Sequence, residues 1–95
     1  MDPADPLCQD VTLVNELGLH ARSAAKIASI ARRAKGPVWI LRRGERADAT
    51  SVLDLLTLAC PQGSRLRILI ENPADRPVLE ALVRLAENGF EEGRP

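Results

Sequence analysis

An α+β open-faced sandwich is the fold this sequence predicts: a four-stranded, mainly antiparallel sheet covered on one face by three helices, in the order βαββαβα. Three observations predict it. Short β-rich apolar runs alternate with longer segments whose apolar residues recur at helical spacing. Glycine, proline and asparagine clusters separate nearly every pair of segments. Each helical segment is apolar along one stripe only, so each has one face to bury.

Residues 1–9 begin Met1-Asp2-Pro3-Ala4-Asp5-Pro6 and read as a flexible leader, leaving residues 10–92 as one domain. The first strand is expected over residues 11–14, Val-Thr-Leu-Val, with Asn15-Glu16-Leu17-Gly18 as the turn leaving it. A helix follows over residues 21–34. Its face of Ala24, Ile27, Ala28 and Ala31 is narrow enough to lie close on a sheet, and Ile30 widens it. Lys35-Gly36-Pro37 stops that helix with a cation in the last turn, a glycine past the end and then a proline.

Residues 38–43 read as a strand whose Val38-Trp39-Ile40-Leu41 run is apolar on both faces, as an inner strand would be, and Arg43-Gly44-Glu45 turns the chain. Residues 46–49 return as a short polar edge strand. Ser51-Val52-Leu53-Asp54 has the spacing of a capping box and opens a helix over residues 52–58. After Cys60-Pro61-Gln62-Gly63, the strand 65–70 turns Leu66, Ile68 and Ile70 to the core. Asn72-Pro73-Ala74-Asp75 is a turn with Asp75 as cap. The last helix runs over residues 76–87 with Val78, Leu79, Leu82, Val83 and Ala86 inward, and Phe90 folds back on the apolar surface.

Composition narrows the function. Thirteen basic and thirteen acidic side chains cancel, and Trp39 and Phe90 are the only aromatics. A protein built to grip nucleic acid shows a basic excess, and an RNA-binding sheet needs stacking aromatics. No window approaches the ~20 apolar residues of a membrane span, and the N-terminus lacks a signal peptide's layout, so a cytoplasmic protein is expected. Cys8 and Cys60 lie too far apart for a C-x-x-C motif; one buried thiol and one near a mobile end is the expectation. With one histidine and no ligand cluster, neither a metal site nor a cofactor is expected.

That one histidine, His20, sits in Gly18-Leu19-His20-Ala21-Arg22, at a glycine-loosened turn into a helix. Imidazole is the side chain able to act as nucleophile, acid or base near neutrality. A helix start presents unpaired N–H groups suited to an anion, and Arg22 adds a guanidinium fork. Together these point to a histidine that handles phosphate.

The same pentapeptide resembles the active-site signature of the histidine-containing phosphocarrier (HPr) family of the bacterial phosphoenolpyruvate-dependent phosphotransferase system. The resemblance continues in register over about residues 10–92. Ser51 falls on the family's regulatory serine, and Val52, Leu53 and Leu56 on its apolar docking residues. The Asn88-Gly89-Phe90-Glu91-Glu92 ending is similar to the nitrogen-related branch. The resemblance implies a carrier rather than a turnover enzyme: His20 Nδ1 takes a phosphoryl group from phosphorylated enzyme I and passes it to an enzyme IIA domain. Arg22 would stabilise the phosphate, with Arg22 and Arg32 facing acidic partners. The family usually has proline where this chain has Ser23, whose hydroxyl would serve as a helix-start contact, to cap or touch phosphate. Many members have glycine where this chain has Asp54, beside Ser51. The alternative is a regulatory interaction module of the same fold, without transfer, that binds a partner such as a kinase or transcription factor.

Overall fold

The protein is described from a computed structural model covering residues 7–92. Strands β1 (Cys8–Thr12), β2 (Val38–Arg42), β3 (Glu45–Asp48) and β4 (Arg65–Ile70) alternate with helices α1 (Ala21–Ala31), α2 (Val52–Leu56) and α3 (Arg76–Glu87). The order is the βαββαβα expected. The sheet runs β1-β4-β2-β3 with every neighbouring pair antiparallel, so β2 is an inner strand and β3 an edge.

The helices pack on one face. Val11, Val38, Ile40, Ala47, Leu66, Ile68 and Ile70 from the sheet meet Ala24, Ile27, Ala31, Leu55, Leu79, Leu82 and Ala86 from the helices in one core. Alanine lets α1 lie close: Ala24 and Ala28 are wholly buried. The β2–β3 hairpin turns on Arg43 and Gly44, both at positive φ, the two-residue geometry that matches strand twist.

Several boundaries differ from the expectation, each for a local reason. The first strand begins at Cys8, not Val11, with Cys8 opposite Leu69 and Gln9 opposite Ile68. Residues 8 and 9 therefore belong to the sheet and not to a leader; residues 1–6 lie outside the described residues. Both cysteines are buried, so neither thiol sits at a mobile end. Strand β1 ends at Thr12, but Leu13 stays tied on, donating to Ser64 O at 2.9 Å and accepting from Gly63 N at 2.8 Å.

Helix α1 stops at Ala31 rather than Ala34, and α2 at Leu56 rather than Leu58. Past Arg32 and past Leu56, residues bond back three positions instead of four: Ala34 N to Ala31 O at 3.0 Å, Leu58 N to Leu55 O at 3.1 Å. Hydrophobic spacing carries through such tightened turns. Strand β3 lies one residue earlier than expected, at Glu45–Asp48, because Glu45 pairs with Arg42 directly across the tight turn.

Two caps also differ. Ser51 Oγ accepts from Asp54 N at 3.1 Å, but the Asp54 carboxylate turns to Asp48 N at 2.6 Å, so the expected reciprocal box is only half made. Asp75 caps nothing. It is 3 % exposed, and its two oxygens accept from Lys35 N and Gly36 N at 2.8 and 2.9 Å, holding the α1–β2 loop against the start of α3. Phe90 does fold back and is 1 % exposed, a burial contributing roughly 1.5–3 kcal/mol.

Candidate functional site

The site lies where β1 hands the chain to α1. Gly18 takes φ +64°, and a Cβ there would lie 2.3 Å from the Cys60 carbonyl oxygen, so only glycine fits. This closeness lets Leu19 N donate to Cys60 O at 2.8 Å, which pins the turn to the loop before β4. His20 follows in extended conformation as the N-cap of α1, with its side chain 27 % exposed.

Both ring nitrogens of His20 have partners. Arg22 N donates to Nδ1 at 3.3 Å, and Nε2 lies 2.6 Å from Glu92 Oε2. An N–H can only donate, and an ionised carboxylate can only accept. In the neutral ring these two neighbours agree on one tautomer: Nε2 carries the proton and Nδ1 the lone pair. Nδ1 thus stands at the open end of α1. There the N–H groups of Ala21, Arg22 and Ser23 precede the first full helical bond, from Ala24 N to His20 O at 2.8 Å.

Ser23 is wholly buried. Its Oγ accepts from His20 N at 2.9 Å and lies 3.1 Å from Gly18 O, to which it donates. The hydroxyl is thus committed to the helix start, and the phosphate contact considered as its other use is closed off by burial. Arg22 is exposed, and its guanidinium has no hydrogen bond or ion pair among the described residues. That leaves one uncommitted cation within two residues of the ring.

Glu92, Asn15 and Lys26 complete the constellation, and none stands out in the sequence. Asn15 Nδ2 donates to Gly18 O at 2.7 Å and to Glu92 Oε1 at 3.0 Å, while Lys26 Nζ donates to Phe90 O at 2.5 Å. Burial pushes the Glu92 carboxyl up. The hydrogen bonds from Asn15 and His20, with the charges of His20 and Lys26, outweigh it and hold the group below the usual glutamate range. The one legible signal was Phe90: an aromatic anchored near the end of the chain carries Glu92 along with it.

The remaining predicted residues form a second group around α2. Val52 and Leu56 are half-buried against the core, whereas Leu53 is 79 % exposed. Arg32 donates to Thr50 O at 3.1 Å, beside Ser51. It lies about 18 Å along α1 from His20, given a helical rise of about 1.5 Å per residue. Arg32 therefore belongs with the start of α2 and not with the histidine. Cys60 offers no rival nucleophile, because burial pushes its thiol up and Arg42 only partly opposes that.

Known proteins are similar to this chain over most of its length. Residues 7–88 match the family described as "PTS HPr component phosphorylation site". The phosphocarrier protein HPr of Cupriavidus necator is 36 % identical over 87 residues, covering 92 % of this chain and 98 % of its own. That of Pseudomonas aeruginosa is 38 % identical over 85 residues, covering 88 % and 94 %. Among solved structures, HPr-C-His from Thermoanaerobacter tengcongensis superposes with a TM-score of 0.85 at 26 % identity, over 92 % of this chain and 98 % of that one. HPr from Bacillus anthracis gives 0.77 at 29 %, over 83 % and 94 %. No helix among the described residues is long and apolar enough to cross a membrane. With its single histidine at the open end of α1, the chain belongs to the HPr family of the phosphotransferase system, whose members are phosphoryl carriers and not turnover enzymes.

Proposed function

We propose that the chain accepts a phosphoryl group on His20 Nδ1 from phosphorylated enzyme I and delivers it to an enzyme IIA domain, in the cytoplasm. One observation carries the proposal: Arg22 N–H and the Glu92 carboxylate select the tautomer whose lone pair is on Nδ1, at a helix start. In loading, that lone pair attacks phosphorus as the bond from phosphorus to the donor's nitrogen breaks. The ring becomes an imidazolium, its proton staying on Nε2. The phosphoryl oxygens then meet the dipole of α1 and the Arg22 guanidinium, both favourable to anions. Delivery reverses each step. Positioning and electrostatics are all the carrier needs to supply.

Leu53, with Val52 and Leu56 beside it, is the proposed docking face, and Arg22 and Arg32 the basic flank for acidic partner surfaces. Ser51 is the proposed target of a regulatory kinase. A phosphate there would suit the start of α2 but displace the bond from Asp54 N and stand beside the Asp54 charge.

The test is incubation with phosphoenolpyruvate and enzyme I, followed by intact mass and acid treatment. One acid-labile phosphoryl group, absent from His20→Ala, is the expected result. No adduct, with the same enzyme I active on another carrier, would overturn the proposal in favour of a non-transferring interaction module.

A further inference from the structure

We infer that Glu92 is a positioning residue for His20: it fixes which ring nitrogen carries the lone pair and holds the charge the ring acquires when loaded. The second half of this inference rests on the carrier reading above.

An exposed ion pair would mean little, since such contacts contribute about 0–1 kcal/mol and are screened by salt. The Asp10–Arg67 pair across β1 and β4 is of that kind, with side chains 41 % and 32 % exposed. Glu92 is different in three respects. Its side chain is only 12 % exposed. Its two oxygens have separate donors, Oε2 facing His20 Nε2 at 2.6 Å and Oε1 facing Asn15 Nδ2 at 3.0 Å, so the carboxylate plane is held from two sides. Asn15 is itself buried, and its Oδ1 finds no partner among the described residues, so this amide is placed for its donors.

The backbone that delivers Glu92 is also built against a cost. Phe90 and Glu91 both take left-handed conformations, at φ +57° and +61°, which disfavour side chains by about 1–2 kcal/mol each. Burial of Phe90 and the Lys26 bond to its carbonyl hold that turn closed. The segment bends twice the unfavourable way and ends with a carboxylate on the histidine.

The consequence follows from electron bookkeeping. With the Nε2–H bond directed at Glu92, the Nδ1 lone pair is available with no prior proton transfer. When that pair becomes the N–P bond, the ring turns cationic and the Nε2–H···Oε2 hydrogen bond becomes an ion pair. When the phosphoryl group leaves, the electrons of the N–P bond return to Nδ1, and Nε2 keeps its proton throughout. Glu92 thus orients the ring at rest and neutralises it when loaded, as a buried carboxylate does for the histidine of a serine hydrolase.

The test uses the full chain with Glu92→Ala and Glu92→Gln. Nitrogen-15 NMR of the neutral His20 ring, which needs no enzyme I, should show a single Nε2–H tautomer in the parent and a mixture in Glu92→Ala. Loading from enzyme I should lose about tenfold in kcat in either variant, with KM within about twofold, because the lost contact strengthens only as the ring charges. An unchanged tautomer and an unchanged kcat in Glu92→Ala would overturn the inference. So would a loss confined to KM, which would make Glu92 a docking residue. Failure of the parent to load at all would remove the carrier reading and the charge-holding half with it, while the tautomer measurement would still decide the positioning half.

Discussion

Substituting Gly18 by alanine isolates the contact on which the histidine turn is built. Two separate penalties apply. A side chain at φ +64° carries the left-handed cost, about 1–2 kcal/mol. The new Cβ would also lie 2.3 Å from Cys60 O and 2.7 Å from Pro61 C, both backbone atoms with no rotamer to give way. Forcing a methyl group into packed structure adds about 1–3 kcal/mol. Gly44 supplies the control: its φ is +81°, yet nothing lies within 4 Å of its Cβ position, so Gly44→Ala carries the first penalty alone. Glycine-to-alanine changes at the two sites should therefore differ by about 1–3 kcal/mol, which for a domain of this size is roughly 4–24 °C in Tm. Thermal unfolding followed by circular dichroism, with urea unfolding to check that m is unchanged, measures both. Equal Tm values for the two variants would refute the reasoning and mean that the 60–62 loop yields freely. Phosphoryl loading of Gly18→Ala should fall as well, since the same displacement breaks the Leu19 N–H bond to Cys60 O and moves His20.

Two other predictions test the frame around the site. Asp75→Ala leaves the N–H groups of Lys35 and Gly36 without their carboxylate and should destabilise the fold by about 1–3 kcal/mol, read by urea unfolding; a neutral result would mean that the α1–β2 loop finds its own partners. The second concerns pH. The hydrogen bond and charge of Arg67, with Arg65 adding to them, outweigh burial and hold the Asp10 carboxyl below the usual range. A carboxyl whose pKa is lowered in the folded state stabilises it above the unfolded value of about 3.9 and loses that contribution as pH falls through the folded value. The stability gap between the parent and Asp10→Asn should be level from pH 5 to 8 and close below about pH 4, with added salt narrowing it throughout. A gap that persists at pH 2 would show that Asp10 acts by packing.

The elements were legible because each obeys one period: α3 shows its inward residues at helical spacing, and β4 alternates cleanly. Their ends were less so, since the chain at 33–34 and 57–59 keeps helical spacing while its hydrogen bonds shorten to three residues. The site divides the same way. His20, Arg22 and Ser23 adjoin in sequence, and their local roles at a helix start can be reasoned from residue type. Asp54 and Asp75 were misassigned because a carboxylate near a helix start suits a cap, and nothing local reveals a competing N–H at Asp48 or Lys35. Glu92 was illegible for a deeper reason. It meets His20 across 72 positions and Asn15 across 77, and a glutamate in a charged C-terminal run looks like any solvated one.

The sheet order β1-β4-β2-β3 also dictates when the site can come into being. Among the described residues, the strand leading into the histidine turn pairs only with β4, Asp10 meeting Arg67 at a separation of 57 residues, and the chain around the turn hangs on Cys60 and Ser64. Contacts that distant form late, because the intervening chain must first lose the freedom of a long loop. A ribosome that has released only α1 and the β2–β3 hairpin has exposed His20 but not its geometry. The turn's anchors arrive with the loop before β4 and with β4 itself, and the carboxylate at residue 92 arrives after that. A chain caught partway through synthesis therefore presents the histidine without the β4 contacts and the carboxylate that surround it in the finished fold.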